Sequence, residues 1–493
     1  MTFWKSFLTH RIAPTLVLMV GMPLLAQRPV SLEEAEQIAR DNSPQLRQVR
    51  MNLEQSAANL RAQNAALKSQ FSLTLAPFTF QRSREFNQLF STFNTSETRQ
   101  SGGILRVDQP LKWTDGTLSF QNQFFWRQDS SEFQGARTEG YTNNLFVSYS
   151  QPLFTYNRTR LNLEAVELDL QASQITYDLR NMLLEQEVAQ LFYAAFQGKM
   201  ALQVAEEEYQ NTQESYAIIK NKVDAGLVAL EELYQAELNL ANSRSTVQNN
   251  QVTFQNALDD LKELVGLPLE EDISVAAEIS EKTVLVDLEK ALAEGLSNRL
   301  ELRQREIDIL NAEQTLTQAG ATNEFRGTLN MTYGLIGNDQ SADRIYDNPT
   351  RNQSFELSLE IPIFDWGEKD ARLQAARIGV QRQSLNKETE STGIAIGIRK
   401  AWRNLKNQEI QIEIARQNVR VAQLTYDINL EKYRNGDLTS LDLNLYQNQL
   451  SERKINQVNA LISFRLALLD LKVKTLFDFE NNRRVITTST DNQ

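Results

Sequence analysis

Cysteine is absent from this sequence of 493 residues, and histidine occurs once, as His10. Without cysteine the chain has no disulfides, no thiolate metal sites and no cysteine nucleophile. His10 lies in a segment that we predict is removed, so the mature chain has no imidazole for general base catalysis or metal binding. Because Gly-rich phosphate-binding motifs are missing as well, the sequence argues against an enzyme and predicts neither a cofactor nor a metal site.

Long apolar runs are also missing. After Ala26 no segment approaches 18 uninterrupted apolar residues, so we predict no transmembrane helix in the mature chain. The apolar run from Ile12 to Ala26 is short for a bilayer span, and it follows the charged residues Lys5 and Arg11. This arrangement predicts a secretory signal peptide at 1–26, with a buried N-terminal helix as the alternative. The mature chain would then be either soluble outside the cytoplasm or a membrane β-barrel.

The chain has fewer basic than acidic residues, 51 against 63. The formal net charge is −12, and loss of Lys5 and Arg11, with no acidic residue before residue 27, leaves the mature chain at −14. A surface this acidic repels a phosphate backbone, so nucleic acid is not expected as a partner.

The ten prolines leave two long intervals free of this residue, 153–267 and 363 to the end. Proline breaks helix interiors, and both intervals are rich in Ala, Leu, Gln and Glu, which favour helices. Residues 158–224 contain one glycine, and at about 1.5 Å per residue a helix over them would be roughly 100 Å long. No ordinary globular core needs such a helix, whereas coiled-coil and tube architectures do.

Other segments alternate apolar with polar residues, which is the period of a β-strand. Of the 41 aromatic residues, 17 fall between Phe71 and Tyr156, a density typical of the interfacial girdles of a membrane barrel. A soluble β-sandwich is the alternative that alternation alone leaves open. The alternating segments are 71–80, 117–126, 141–149, 327–335 and 354–361.

The chain is a tandem repeat. Leu32, Ala35 and Leu46 recur in kind 256 residues later, and Pro152 and Phe154 recur 210 residues later. We therefore predict two repeats of helix, strands, very long helix, glycine turn and returning helix. The boundaries are 27–265 for the first repeat (helix 31–70, strands 71–154, helical hairpin 158–265), 266–286 for a linker, 287–477 for the second repeat (helix 287–324, strands 327–363, helical hairpin 367–476) and 478–493 for a polar tail.

The offset falls from 256 to 210, so the first repeat holds 46 additional residues among its strands. The Gln-Pro-Leu triplet at 151–153, which precedes the long helix, has an earlier copy at 109–111. Asp115-Gly116 follows that copy and is a strong tight-turn signal. We predict one additional β-hairpin, with four strands in the first repeat against two in the second. A long extracellular loop with local hairpin structure is the alternative.

Each long helix is followed by a glycine in register with the repeat. Gly226 lies in 224–233 (DAGLVALEEL) and Gly436 lies in 433–443 (YRNGDLTSLDL). A reversal between antiparallel helices needs a residue with positive φ, which glycine adopts without strain. Together with the proline-marked strand-to-helix junctions, these turns resemble the TolC-like outer-membrane factor family, the outer membrane efflux proteins, over essentially the whole mature chain.

The resemblance implies an α+β membrane protein. Three protomers, a homotrimer, share one β-barrel in contact with outer-membrane lipid, continued by a long periplasmic α-helical barrel, and family members usually have four strands per protomer. The glycine turns lie at the periplasmic tip, where the family meets a periplasmic adaptor protein and, through it, an inner-membrane pump. The function implied is that of an outer-membrane exit duct in a tripartite efflux or type I secretion system, which conducts substrates passively to the exterior.

The resemblance also assigns residues near the turns. The periplasmic gate corresponds to Asp442, as an acidic ring, and to Tyr433 with its acidic neighbour Glu232. Leu445 stands where a second acid is typical and Leu438 where an arginine is expected, so the closed state would depend on the tyrosine link and apolar packing. From the residues alone, Asp442 is equally well a solvated carboxylate on a helix face. The adaptor-docking turns comprise Gly226, Leu227, Val228, Gly436, Asp437 and Leu438.

Two other classes compete with a conduit. A secreted coiled-coil envelope spacer or adhesin also accommodates long helices, but it gives the aromatic strands at matching repeat positions no role. A hydrolase is disfavoured by the missing histidine and cysteine. The sequence leaves the exported substrate and the identity of the adaptor open.

Overall fold

A computed structural model describes residues 28–88, 91–131, 136–277 and 284–485. The predicted signal peptide lies outside the described residues, as do part of the predicted linker and the end of the predicted tail. The chain divides into two units. The turn unit comprises Met1–Asp41, Val188–Ser280 and Val419–Val458, and the sheet unit comprises Asn42–Glu187, Glu281–Asn418 and Asn459–Gln493.

Helices and strands alternate in an order that is repeated along the chain. A short 3-10 turn, Ala342–Arg344, interrupts the second repeat. The elements are β1 (Arg28–Val30), α1 (Leu32–Asn42), α2 (Pro44–Ala66), β2 (Gln70–Asn87), β3 (Thr92–Leu111), β4 (Gly116–Ser131), β5 (Ala136–Leu153), α3 (Arg158–Asp224), α4 (Leu230–Val265), β6 (Ile273–Val275), α5 (Leu288–Asn298), α6 (Leu300–Gly320), β7 (Arg326–Asp339), β8 (Thr350–Glu360), α7 (Glu368–Asn435), α8 (Ser440–Thr475), β9 (Phe477–Asp478) and β10 (Arg483–Arg484).

The two long helical hairpins match in length. α3 and α7 have 67 and 68 residues, and α4 and α8 have 36 each. The helices of the second hairpin begin 210 residues after those of the first, which is the sequence offset of this part of the repeat. The bounds lie within one residue of the predicted hairpins, 158–265 and 367–476.

The sheet unit contains a six-stranded antiparallel sheet in the order β2-β3-β4-β5-β7-β8. The first repeat contributes four of these strands and the second contributes two, as predicted from the change in offset. β5 and β7 come from different repeats and pair from Tyr141↔Asp339 to Leu153↔Gly327. The sheet therefore joins the two repeats through backbone hydrogen bonds.

Two buried clusters hold the helices of the sheet unit. One joins α5, α7 and α8 around Ile398, Leu405 and Leu471, which are fully buried. The other joins α3 to α6 through Met182 and Ile307. Burial of a Leu, Ile or Met side chain is worth roughly 1.5–3 kcal/mol. Packing of these apolar stripes therefore fixes where the helices lie, beyond their intrinsic propensity.

The helices that open each repeat differ from the sequence prediction. The single helix predicted over 31–70 is two helices, α1 and α2, because Pro44 lacks an N–H and disfavours helical backbone at Ser43. The helix predicted over 287–324 is likewise two helices, interrupted at Arg299, where ψ is 121°. The Arg299 guanidinium donates to the carbonyl of Val473 at 2.9 Å, a tertiary contact that no local pattern predicts.

The predicted linker and tail also contain paired strands. In the turn unit β1 and β6 pair in parallel, with Arg28 opposite Ile273, and Lys199 Nζ donates to the Val275 carbonyl at 2.7 Å. In the sheet unit β9 and β10 form a short antiparallel pair. Strands of two or three residues are too short to show a period-2 pattern, so no local pattern predicted them.

Candidate functional site

Both interhelical turns have the same backbone structure. Gly226 has φ +72° and Gly436 has φ +89°. In each turn the glycine N–H donates to the carbonyl three residues earlier, at 2.9 Å after α3 and 3.1 Å after α7, and the next N–H donates to the carbonyl five residues earlier at 2.9 Å. These are Schellman caps. Beyond the chain neighbours, nothing lies within 4 Å of a Cβ built on either glycine, so positive φ alone requires glycine here.

The returning helices begin differently. At the start of α8, Thr439 Oγ1 accepts from the Asp442 N–H at 3.2 Å and donates to Asp442 Oδ2 at 2.8 Å. α4 instead follows Ala229, which has no side chain able to cap a helix. The Asp442 carboxylate, predicted for the gate, is exposed and bonded to the start of its own helix.

Glu232 stands at the position that corresponds to Asp442 in the first repeat, but it bonds to the other hairpin. Its Oε2 accepts from the Ser440 N–H at 3.3 Å and from Ser440 Oγ at 2.7 Å. Ser440 is the first residue of α8 and is 7% exposed. A carboxylate at a helix N-terminus satisfies an otherwise unpaired N–H and interacts favourably with the helix dipole. Glu232 therefore ties α4 to the start of α8.

Tyr433 lies in the core of the turn unit. Its side chain is 1% exposed and packs with Ile219 and Leu443. Its hydroxyl donates to the carbonyl of Ser215 at 3.2 Å. Burial raises the pKa of this phenol well above its ordinary value, and the charge of Glu232 raises it further. Tyr433 and Glu232 form their hydrogen bonds with different partners, Ser215 and Ser440.

Two side chains that the sequence did not single out join the same hairpins. Lys222 Nζ donates to the carbonyl of Tyr433 at 2.9 Å and lies 5.2 Å from the centre of its ring. Gln447, 3% exposed, donates from Nε2 to the Glu208 carbonyl at 2.8 Å and to Thr212 Oγ1 at 3.2 Å. These bonds connect residues more than 200 positions apart, so no local pattern could have revealed them.

The residues predicted for adaptor docking surround the two glycines. Leu227 is 74% exposed and Asp437 is exposed, whereas Val228 and Leu438 are half-buried. Leu438 packs against the Tyr433 cluster. The first turn therefore presents an apolar side chain to solvent, and the second turn presents a carboxylate.

Within the four described ranges, no group of acidic and histidine side chains is arranged to hold a metal ion. In the same part of the chain, none of the helices combines the length and apolar character that a membrane crossing requires.

The fold is that of a duplicated protein in which each repeat contributes strands to one sheet and supplies one long helical hairpin. The family model for the outer membrane efflux protein matches residues 36–267 and 291–473. The chain belongs to the outer membrane efflux protein family. The resemblance seen in the sequence is thereby confirmed, and with it the predicted outer-membrane location.

Several outer-membrane proteins are similar to this chain in sequence or in structure. The chain is similar to the cation efflux system protein CusC of Escherichia coli K12, with 24% identity over 345 residues that cover 68% of this chain and 70% of CusC. It is also similar to the structure of the CmeC outer membrane channel of Campylobacter jejuni, with a TM-score of 0.68, 16% identity and coverage of 94% of this chain and 88% of CmeC. For the open state of the MtrE outer membrane channel of Neisseria gonorrhoeae the TM-score is 0.64, with 16% identity over 92% of this chain and 91% of MtrE.

Proposed function

We propose that this protein is the outer-membrane exit duct of a tripartite efflux system and conducts substrates passively from an inner-membrane pump and a periplasmic adaptor to the exterior. The observation that carries the proposal is the match of the family model to both repeats, 36–267 and 291–473. The pump supplies the energy, and the duct contributes a path without a catalytic residue or a cofactor.

In the proposed assembly three copies form a homotrimer whose sheets close a barrel in outer-membrane lipid and whose helical hairpins continue into the periplasm. Among the described residues, the edge strands β2 and β8 each have a partner on one side only, and lipid does not tolerate unpaired strand edges. Apolar side chains on both edges are between 48% and 74% exposed: Phe71 and Leu73 in β2, and Leu357 and Leu359 in β8. Pairing of β2 with β8 of a neighbouring copy would remove both edges.

The turns form the proposed periplasmic gate, held closed by bonds between the two hairpins. Glu232 accepts from Ser440, Tyr433 donates to Ser215, and Lys222 donates to the Tyr433 carbonyl. Each such bond contributes on the order of 1 kcal/mol, and threefold symmetry triples each contribution. Opening then requires work from the partner that docks at the turns.

Asp442 supplies the proposed acidic ring. Three exposed carboxylates near one axis would concentrate cations where the path is narrowest. Purified protein in planar bilayers should prefer cations, and Asp442→Asn should weaken this preference and the block by multivalent cations. Asp437→Asn, an exposed acid of the turn, is the matched control. Equal effects of the two variants would show that Asp442 does not form the acidic ring. A purified trimer that forms no channel would overturn the proposed duct.

The two turns are the proposed docking surface for the adaptor. Gly226→Val or Gly436→Val strains a positive-φ residue, so export should fail although trimers still assemble in the outer membrane. Asn tolerates this backbone conformation, so the Asn variants should retain export. Normal export by both Val variants would show that docking occurs elsewhere.

A further inference from the structure

β3 and β4 have no counterpart in the second repeat. β2 and β7 begin 256 residues apart, and β5 and β8 each precede the long helix of their repeat. The inserted pair lies inside the sheet, between β2 and β5. β3 and β4 pair from Ser96↔Ser131 to Leu111↔Gly116, and β4 pairs with β5 over nearly its full length. The insertion therefore widens the sheet.

The inserted strands have the same two faces as their neighbours. On one face of β4 lie Leu118, Phe120, Phe124 and Trp126, with Asn122 as the polar residue among them, and Val147 of β5 is opposite Phe120. Such a face suits lipid, and a polar opposite face suits a water-filled interior. An extracellular loop has no need of this separation. The opposite face also includes Ile104, Phe125 and Phe146 but is mainly polar: it carries Gln100, Arg106 and Asp108 in β3, Ser119, Gln121, Gln123 and Arg127 in β4, and Asn144, Ser148 and Ser150 in β5.

The turn between β3 and β4 lies against the start of α3. Asp115 Oδ1 accepts from the Thr159 N–H at 2.8 Å and from Thr159 Oγ1 at 2.5 Å. Asn157 Nδ2 donates to the Lys112 carbonyl at 2.7 Å. The inserted hairpin thus crosses the sheet to the edge where the long helix begins, and it places a carboxylate at that helix N-terminus.

At the start of α7 the carboxylate comes from the segment that leads into the helix. Asp365 accepts from the N–H of Gly367 at 3.0 Å and from that of Lys369 at 3.1 Å. The residue 210 positions before Asp365 is Thr155, which has no carboxylate. In the first repeat Asn157 Oδ1 accepts from the Arg160 N–H at 2.8 Å, and the inserted hairpin adds the bonds from Asp115 to Thr159. These bonds place the turn of the inserted hairpin at the helical side of the sheet.

We propose that β3 and β4 are two extra wall strands, so that the exit is an 18-stranded barrel, with six strands from each of three protomers, instead of the 12 strands that four per protomer would give. This inference rests on the proposed trimeric duct. Barrel diameter grows roughly linearly with strand number, so the exit is about one and a half times as wide, and barrels of about 16–18 strands enclose an aqueous channel. An exit of this width suits bulky hydrated solutes as cargo.

Single cysteines test whether β4 is barrel wall, because the chain has no cysteine of its own. Gln121→Cys should react with a charged, water-soluble maleimide in intact outer membranes, and Phe120→Cys should be protected. Thr332→Cys and Tyr333→Cys, on the polar and apolar faces of β7, are the matched controls. If residues 120 and 121 are labelled equally while 332 and 333 still differ, only the extra strands are overturned. If neither pair shows a difference in labelling, the barrel itself is overturned.

A deletion tests the width. Removal of residues 112–153 joins Leu111 to Phe154 and leaves the earlier Gln-Pro-Leu triplet before α3. The 42 removed residues are an even number, so β3 keeps each side chain on its face. The largest neutral polymer that enters from the external side should fall by about one third in diameter. An unchanged limit in a folded deletion variant would refute the widening, and if the variant does not fold, the cysteine pairs decide.

Discussion

The two interhelical turns share one backbone conformation but differ in their hydrogen-bond partners. Both end a long helix with a Schellman cap on a positive-φ glycine. At matching positions, however, Val223 is replaced by Tyr433 and Leu230 by Ser440. The second turn thus provides a hydroxyl that donates to the first hairpin and a helix start that receives a carboxylate from it.

Duplication explains the shared backbone, and divergence of a few side chains explains the asymmetry. Glu232 and Asp442 occupy the same place after their turns, yet the Asp442 carboxylate accepts from Thr439, just before its own helix, whereas Glu232 accepts from Ser440 in the other hairpin. The two repeats therefore share one turn structure, while the second hairpin also binds a side chain of the first. In the proposed gate, one hairpin would move against the other once these few bonds are broken.

The largest difference between the hairpins is expected at Tyr433. Tyr433→Ala removes a fully buried aromatic side chain and should lower the free energy of opening the turn unit by about 3–5 kcal/mol. Val223→Ala, the matched change on the half-buried residue of the first hairpin, should cost much less. Hydrogen exchange of amides in the second half of α7 measures both. Equal losses of protection would mean that the two hairpins are energetically equivalent.

Strain at the glycines should be the same in both turns. Gly226→Val and Gly436→Val should each cost about 1–2 kcal/mol, since both residues have positive φ. Because both sites are open around the missing Cβ, no steric term should separate them. Thermal unfolding of the two variants, with the Asn variants as controls, checks this. A clearly larger cost at one turn would show that its surroundings, and not its backbone, require glycine.

The carboxylates of Glu232 and Asp442 should differ in which helices they stabilise. Glu232→Gln removes the charge at the start of α8 and should cost about 1 kcal/mol, the usual worth of a helix cap. The loss should appear in both hairpins, because Glu232 belongs to one and Ser440 to the other. Asp442→Asn should have a similar cost confined to the first turn of α8. Hydrogen exchange at α4 and α8 distinguishes them, and protection changes in α4 from Asp442→Asn would contradict the assignment.

The smallest effect is expected from alkaline pH. The pKa of Tyr433 is raised in the folded chain, mainly by burial, so the stability linked to it is present below about pH 10, the ordinary tyrosine value, and is lost as pH rises above it. Burial also raises the pKa of Tyr426. Limited proteolysis at the turns should therefore accelerate above pH 10, less so in Tyr433→Phe and least in the double Phe variant at the same pH. Identical acceleration in all three proteins would exclude the two tyrosines as its cause.

The sequence by itself determined the repeat, the extents of the long hairpins, the four-and-two division of strands and the two glycine turns. Each follows from short-range physics: the absence of proline, period-2 alternation, and the positive φ of a helix reversal. Even the inserted hairpin was visible, because its Gln-Pro-Leu copy and its Asp115-Gly116 turn are local signals.

Tertiary structure alone decided which side chains meet. Tyr433 bonds to Ser215 and Glu232 to Ser440, and Lys222 bonds to the Tyr433 carbonyl without having been foreseen. Arg299, where the helix is interrupted, likewise donates to a carbonyl in a helix that begins 141 residues later. Hydrogen-bond partners so far apart in the chain are set by how buried faces pack, and a single sequence records which faces are apolar but not which two side chains come within 3 Å of each other.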